Sequence, residues 1–285
     1  MFPGRLLWLA LAALLVVARV VGGQPLDVQV TAPAALAALG GRVEAIDRAA
    51  LAAALDRAGL PVPPRVEVTL LAGDDPRARA LPTWVVGRAS GTRAVTILPA
   101  RVGSYPYGSL EGVVWHEVAH LAINLAAGGR PVPRWFHEGV ATSVERDWRL
   151  STRLRLGLAL AADPTLPGVE RLFASDVQPE TARAYLLAAA VVADLRVRHG
   201  ADAPGDVAAG VARGLPFAEA FLARTGISPA QAAARAWAPY RQWTNWVPRL
   251  TSASAVWTLI LVLAVAAFAV NRRRRARRRA MWDEL

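Results

Sequence analysis

The 285-residue sequence contains no cysteine and no lysine, and it has only four histidines. Without cysteine the chain forms no disulfide and offers no thiolate, either as a metal ligand or as a nucleophile. Any metal would therefore be held by histidine and carboxylate side chains. The missing disulfides do not identify a compartment, because an exported domain of this size can be stable without them.

Because lysine is missing, all 33 basic residues are arginines, and the formal charge of the chain is +11. A large positive charge is one sign of a nucleic-acid-binding protein. Most of the excess lies at the two ends, since residues 271–285 hold seven arginines against Asp283 and Glu284, and Arg5 and Arg19 lie near the start. The central part carries little net charge, so we expect no nucleic-acid partner.

Hydrophobic residues make up 54% of the chain and charged residues only 19%, a balance that indicates targeting or membrane segments. Residues 1–23 begin with one basic residue, continue as an apolar run and end in small residues, as a secretory signal peptide does. An uncleaved anchor is the alternative, although the apolar run is shorter than the roughly 20 residues that cross a bilayer.

A second apolar segment lies near the other end. Residues 253–270 contain no charge, and the arginine-rich residues 271–285 follow directly. This arrangement predicts one C-terminal transmembrane helix with a cytoplasmic tail, because positive residues stay on the cytoplasmic side. Residues 246–252 would be a juxtamembrane segment. Residues 24–245 would then form an extracytoplasmic domain of a single-pass protein in the cell membrane.

The segment between the two ends predicts an α+β fold. A helical pattern spans residues 41–59, and β-like runs follow at residues 65–73, 83–90 and 93–100, with turn residues between them. From there the pattern is helical. We therefore expect a small antiparallel sheet followed by a mostly helical half. The stretch VTILPA, residues 95–100, is either an edge strand or a core strand of that sheet.

Residues 113–124, VVWHEVAHLAIN, place two histidines four positions apart, with a glutamate directly after the first. On a helix His116 and His120 share one face and can bind one ion, while Glu117 can take a proton from a metal-bound water. The pattern predicts a catalytic zinc site. The alternative is two core histidines that are satisfied by hydrogen bonds. Ser109 is well placed to cap the same helix.

A catalytic zinc site has a third protein ligand, which must come from further along the chain. The metzincin pattern is excluded because it needs a glycine and a histidine where this sequence has Ile123 and Ala126. The next candidates are His137 and Glu138, which follow the glycines and prolines of residues 128–133. Those residues would end the first helix and let a second helix return beside it.

The two motifs together resemble the gluzincin metallopeptidases. His-Glu-x-x-His followed by Trp-x-x-Glu-Gly-x-Ala is similar to the aminopeptidase N type and to the bacterial peptidase MA-like proteins, and the resemblance covers roughly residues 90–245. In that pattern the glutamate before the glycine is the third zinc ligand, which implies Glu138. His137 would then be exposed or contact a ligand. Thr142 either bonds a zinc histidine or packs within its helix.

The same resemblance implies a tyrosine that stabilises the transition state. The family has a tyrosine that contacts the tetrahedral oxygen, and its position corresponds to Tyr185, although the Lys-Gly that follows in the family is Leu187 and Ala188 here. A core tyrosine is the alternative. The motif with which aminopeptidases bind the free amine of a substrate is missing from residues 97–114, so an endopeptidase is favoured.

The sequence thus predicts a membrane-anchored extracytoplasmic zinc metallopeptidase, with residues 24–245 as a peptidase MA-like domain and a peptide or protein as substrate. The expected functional residues are three Zn²⁺ ligands, a general base and a transition-state stabiliser: His116, His120 and Glu138, Glu117, and Tyr185. The rival interpretation is an inactive, membrane-tethered binding or scaffold domain in which the metal only joins two helices.

Overall fold

The computed structural model describes residues 26–103, 108–145, 156, 164–175, 177–250, 257–258, 260–268 and 270–272. The predicted signal peptide, residues 1–23, lies outside the described residues. So does the arginine-rich tail beyond residue 272. Both therefore stay predictions.

A four-stranded mixed sheet forms the first part of the fold. Its strands are β1 (Asp27–Thr31), β2 (Arg65–Leu70), β3 (Gly87–Ser90) and β4 (Ala94–Ile97), in the spatial order β1-β2-β4-β3. β1, β2 and β4 are parallel, and only β3 is antiparallel to its neighbour. The predicted antiparallel sheet is therefore wrong. A long connection with two helices separates β1 from β2, and the connection from β2 to β4 contains a short helix and β3. Such crossovers make strands parallel, whereas the short turn at Gly91 joins β3 and β4 as a hairpin.

The three β-like runs of the sequence correspond to β2, β3 and β4, and β1 was not predicted. The VTILPA stretch begins inside β4, which lies between β2 and β3. Val95 and Ile97 are buried in the core. Of the two alternatives for this stretch, the structure therefore supports the core strand, and the edge beside the next helix is β3.

The described chain is mostly helical. Its α-helices are α1 (Ala37–Glu44), α2 (Arg48–Arg57), α3 (Pro76–Arg79), α4 (Leu110–Ala126), α5 (Arg134–Glu145), α6 (Leu166–Phe173), α7 (Gln178–His199), α8 (Ala203–Ala212), α9 (Phe217–Thr225) and α10 (Pro229–Leu250). The pattern at residues 41–59 is thus two helices, because Asp47 caps α2 by accepting a hydrogen bond from the N–H of Ala50. The broad prediction of an α+β fold with a helical second half agrees with this architecture.

No helix among the described residues is both long enough and apolar enough to cross a membrane. The two longest, α7 and α10, have 22 residues each, but arginines interrupt both of them, and charges inside a bilayer are costly. The transmembrane helix that the sequence predicted at residues 253–270 is therefore contradicted. Residues 253–256, 259 and 269 of that segment lie outside the described residues.

Helix α4 lies between the sheet and the other helices, and its ends are those that the sequence predicted. Ser109 accepts a hydrogen bond from the N–H of Gly112 at 3.0 Å, which caps the N-terminus. Gly128 and Gly129 have φ of 62° and 72°, a left-handed conformation that suits glycine at the end of a helix. The chain then turns back into α5, which packs against α4.

Candidate metal centre

Helices α4 and α5 bring the three predicted ligands together. His116 and His120 lie one turn apart on α4 and face Glu138 on α5. Oε2 of Glu138 lies 3.3 Å from Nε2 of His116 and 3.5 Å from Nε2 of His120. The relative exposure of these residues is 0% for His116 and 9% for the other two. The two helices thus bury two imidazole nitrogens and a carboxylate oxygen close together at their contact.

The distances between the donor atoms suit a tetrahedral zinc ion. Zinc binds imidazole nitrogen and carboxylate oxygen at about 2.0–2.2 Å, and two such bonds at the tetrahedral angle separate their ligand atoms by about 3.3–3.6 Å. The distances from Glu138 to the two imidazoles fall in this range. Side-chain donors of His116, Glu117 and His120 also lie within 4.8 Å of one another. The closer contacts of Glu138 favour it as the third ligand, with Glu117 beside the metal position.

The second oxygen of Glu138 has a partner of its own. Nε of Arg134 lies 3.6 Å from Oε1 of Glu138, one turn away on α5. The guanidinium of Arg134 also donates to the carbonyl of Phe173 at 2.8 Å and lies 5.0 Å from the centre of its ring. Arg134 therefore links the end of α6 to Glu138, and this contact leaves Oε2 of Glu138 directed at the two histidines.

The charges of the cluster favour a cation at its centre. Burial works to lower the pKa of His116, but the hydrogen bonds to Glu138 and Glu145 outweigh it and raise the pKa to about 10. Burial also works to raise the pKa of Glu138, yet the neighbouring His120 and His116 hold it well below its usual range. The carboxylate thus stays ionised, which is the state in which it can bind a metal, and a metal at this position would replace the proton on the imidazole of His116.

Glu145 completes the cluster and was not predicted from the sequence. Its Oε2 lies 3.4 Å from Nδ1 of His116, on the side of the ring away from Glu138. A carboxylate at Nδ1 holds the proton there and leaves Nε2 free to bind a metal. Glu145 lies seven residues after Glu138, two helical turns along the same face, and this spacing was the available signal. Thr142, between them, is buried and its hydroxyl has no hydrogen-bond partner among the described residues, which favours the packing alternative.

His137 lies beside the cluster and contacts the predicted ligand His120. Its ring stacks on that of His120, with 4.4 Å between the centres, and its Nε2 donates to Oδ1 of Asn124 at 3.1 Å. Burial, and then the charge of His120, lower the pKa of His137 to about 3. Asn124, another residue that was not predicted, also donates to the carbonyl of Gly91 at 2.7 Å. It continues the spacing of His116 and His120 and ties α4 to the β3–β4 turn.

Glu117 faces the sheet and is almost completely buried, with 2% relative exposure. The backbone N–H of Ala89 on β3 faces its carboxylate and favours the charged form. Burial raises the pKa of Glu117 and outweighs the opposing charges of His120 and His116. A carboxylate with a raised pKa accepts and returns a proton near neutral pH more readily than an exposed one.

Tyr185 lies on α7, seven residues after the start of that helix. The centre of its ring is 6.1 Å from that of His116 and 5.2 Å from that of Phe173, which it meets edge-on. α7 approaches α5 closely because Gly139 faces it: a Cβ on Gly139 would lie 2.7 Å from the carbonyl oxygen of Ala188. The glycine after Glu138 therefore lets α7 bring Tyr185 to the cluster.

These residues border one cavity of about 1030 Å³. Its wall is formed by residues around the candidate metal position, by the edge strand β3 and by the connection before that strand. They include Glu117, His120, Glu138, Tyr185, Gly87 and Trp84. A cavity of this size accommodates several residues of an extended peptide, in the range of larger ligand sites. The predicted ligands, base and tyrosine thus share one site, although their roles stay predictions.

Comparisons with protein family models, with curated proteins and with solved structures found no match to this chain. No family is therefore assigned. The resemblance to the gluzincins depends on the two motifs alone, and any function must be argued from the site.

Proposed function

We propose that this chain is a zinc-dependent metallopeptidase of gluzincin type that cleaves peptide bonds within a peptide or protein. The observation that carries the proposal is the position of Glu138, whose Oε2 lies 3.3 and 3.5 Å from the two imidazole nitrogens of His116 and His120. The donors are nitrogen and oxygen atoms only, and their spacing suits tetrahedral zinc. A bound zinc ion would polarise the scissile carbonyl and make its water ligand more acidic.

Glu117 would act as the general base. It lies at the cavity wall next to the two histidines, within reach of the metal position but without the short contact to both imidazoles that Glu138 makes. It would take a proton from the attacking water and pass it to the leaving amine, for which the raised pKa of the buried carboxyl is suitable. A scaffold domain has no use for a buried carboxylate in this place.

Tyr185 is the candidate for the group that stabilises the negative charge on the carbonyl oxygen. A hydroxyl that is shielded from water is an effective donor to such a charge. Tyr185 is buried, borders the same cavity as β3, and has its ring centre 6.1 Å from that of His116. Tyr185→Phe, which removes only the hydroxyl, therefore distinguishes stabilisation of that charge from packing of the ring.

A peptide substrate suits the open edge of the sheet. β3 pairs with β4 on one side only, and Gly87, Arg88 and Ala89 border the cavity. An extended peptide recognises such an edge through its backbone, with little dependence on side chains. The endopeptidase proposal thus needs no pocket for a free amine, and none of the sequence motifs supplies one.

The test combines metal analysis with a peptide-library digest of the purified full chain. We expect one zinc per chain by elemental mass spectrometry, and internal cleavage products that disappear when a chelator is added and return with zinc. A chain that holds zinc but cleaves no peptide would favour the scaffold interpretation. A chain that binds no zinc would exclude both.

A further inference from the structure

Strand β3 borders the cavity and packs against α4, and its two faces differ. Gly87 and Ala89 are partly buried, whereas Arg88 and Ser90 are exposed, because successive strand residues point to opposite faces. The face with Gly87 and Ala89 meets Glu117 of α4. This contact surface is therefore built from the two smallest residue types.

The space at Gly87 is filled by Glu117. A Cβ added to Gly87 would lie 2.5 Å from Oε1 of Glu117 and 2.8 Å from both Cδ and Cγ. Non-bonded carbon atoms are at their best separation near 3.5–4.0 Å, so these contacts are strongly repulsive. Gly87 does not have a positive φ, so its backbone conformation is open to other residues. The requirement for glycine at this position comes from the side chain of Glu117.

The backbone N–H of Ala89 faces the same carboxylate from the strand edge. The N–H of Leu98 donates to the carbonyl of Val86 at 2.8 Å, which makes this a bonded pair of the antiparallel ladder. Because bonded and non-bonded pairs alternate, Gly87 and Ala89 direct their backbone groups away from β4 and toward the open edge. The N–H of Ala89 is thus available to Glu117, provided that the carboxylate can lie against Gly87.

We infer that Gly87 is a positioning residue for Glu117: the missing side chain lets the carboxylate lie on the β3 backbone, beside His116 and His120. A glutamate side chain has three rotatable bonds, and confining it between the strand and α4 fixes the direction of its carboxylate. The contact between Gly87 and Glu117 is a feature of the structure and does not depend on any function. The inference rests on the proposed function only where it treats Glu117 as the general base.

The first measurement compares the kinetics of Gly87→Ala with those of the parent full chain. The added methyl group displaces the carboxylate of Glu117, so kcat should fall by roughly 10–10²-fold, within the usual contribution of a general base. KM and zinc content should change little, because the three atoms nearest to the added Cβ all belong to Glu117, which is not a proposed ligand. Gly73→Ala is the control, since its Cβ would meet only Cβ of Ala100 at an ordinary 3.9 Å.

The second measurement needs no activity and no metal. Thermal unfolding is followed in chelator for the Gly87→Ala change in two backgrounds, one with Glu117 and one with Glu117→Ala. With Glu117 present the added methyl overpacks the site, and Tm should fall by roughly 3–10 °C. In the Glu117→Ala background all three atoms of the clash are gone, so Tm should fall by much less.

The two measurements separate this inference from the proposed function. Equal losses of Tm in both backgrounds would overturn the inference, since Gly87 would then matter to the strand and not to Glu117. An unchanged Tm together with an unchanged kcat would also overturn it. A large difference between the backgrounds supports it. If that difference appears in a chain that cleaves no peptide, the proposed function fails while the positioning of Glu117 by Gly87 stands.

Discussion

Oε2 of Glu145 lies 3.4 Å from Nδ1 of His116, and both side chains are buried at the contact between α4 and α5. The imidazole of His116 is thus held between two carboxylates, Glu138 at Nε2 and Glu145 at Nδ1. Such a second carboxylate fixes the tautomer and the orientation of a metal-binding histidine. The zinc affinity of the proposed site would therefore depend on Glu145, which is not one of the proposed ligands.

Changing Glu145 to Gln should weaken zinc binding by roughly 10–100-fold, the usual effect of removing such a partner. The affinity is measured by competition with a chromophoric chelator. Glu111→Gln is the matched control, because Glu111 is exposed in the first turn of α4 and should leave the affinity unchanged. Equal affinities for the parent chain and the Glu145 variant would show that the contact does not orient His116.

Changing Glu138 to Ala should remove most of the zinc, because it deletes the one side chain that contacts Nε2 of both histidines. His137→Ala is the comparison, since it removes the neighbouring ring that stacks on His120. That variant should keep its zinc. Metal content per chain is measured by elemental mass spectrometry, and full occupancy in the Glu138 variant would end the assignment of the third ligand.

Glu117→Gln keeps the size of the side chain but loses the base. We expect zinc content to stay at the level of the parent, and peptide cleavage to fall by at least ~10²-fold. The rate is measured on a peptide that the library digest has identified. Unchanged turnover would mean that another group performs the proton transfer.

Tyr185→Phe removes only the hydroxyl. If that hydroxyl acts in the transition state, kcat should fall by roughly 10–10³-fold while KM and zinc content stay nearly constant. Thermal unfolding is measured in parallel and should barely change, because the ring still meets Phe173 edge-on. A variant that keeps its full kcat, or loses activity only by melting, would make Tyr185 a core residue.

Gly139→Ala should destabilise the chain, because its Cβ would lie 2.7 Å from the carbonyl oxygen of Ala188 and 2.8 Å from Cγ2 of Val192. Overpacking of this kind costs about 1–3 kcal/mol. The free energy of unfolding is measured with denaturant. Gly41→Ala on α1 is the control, since its Cβ meets nothing within 4 Å; a similar stability for both variants would contradict the close approach of α5 and α7.

The sequence alone determined what local geometry controls. His116, Glu117 and His120 lie where a helix must place them, because residues four apart share a face whatever surrounds the helix. Ser109 and the glycines at 128 and 129 mark the ends of α4 for the same local reason, since they satisfy its terminal backbone groups or allow a left-handed turn. From these ends the return of α5 with His137 and Glu138 could be predicted, whereas the choice of Glu138 came from the resemblance to the gluzincins.

Tertiary structure decided which distant segments meet this helix. The strands β2, β3 and β4 were recognisable one by one, but their order and direction follow from connections and from packing against α4, which no local pattern encodes. The contact of Gly87 with Glu117 joins residues that are 30 positions apart. The contact of Glu145 with His116 joins α5 to α4. Residue spacing could therefore suggest the cluster of His116, His120 and Glu138, whereas the orientation of Glu117 and of His116 is determined only when the sheet and the helices pack together.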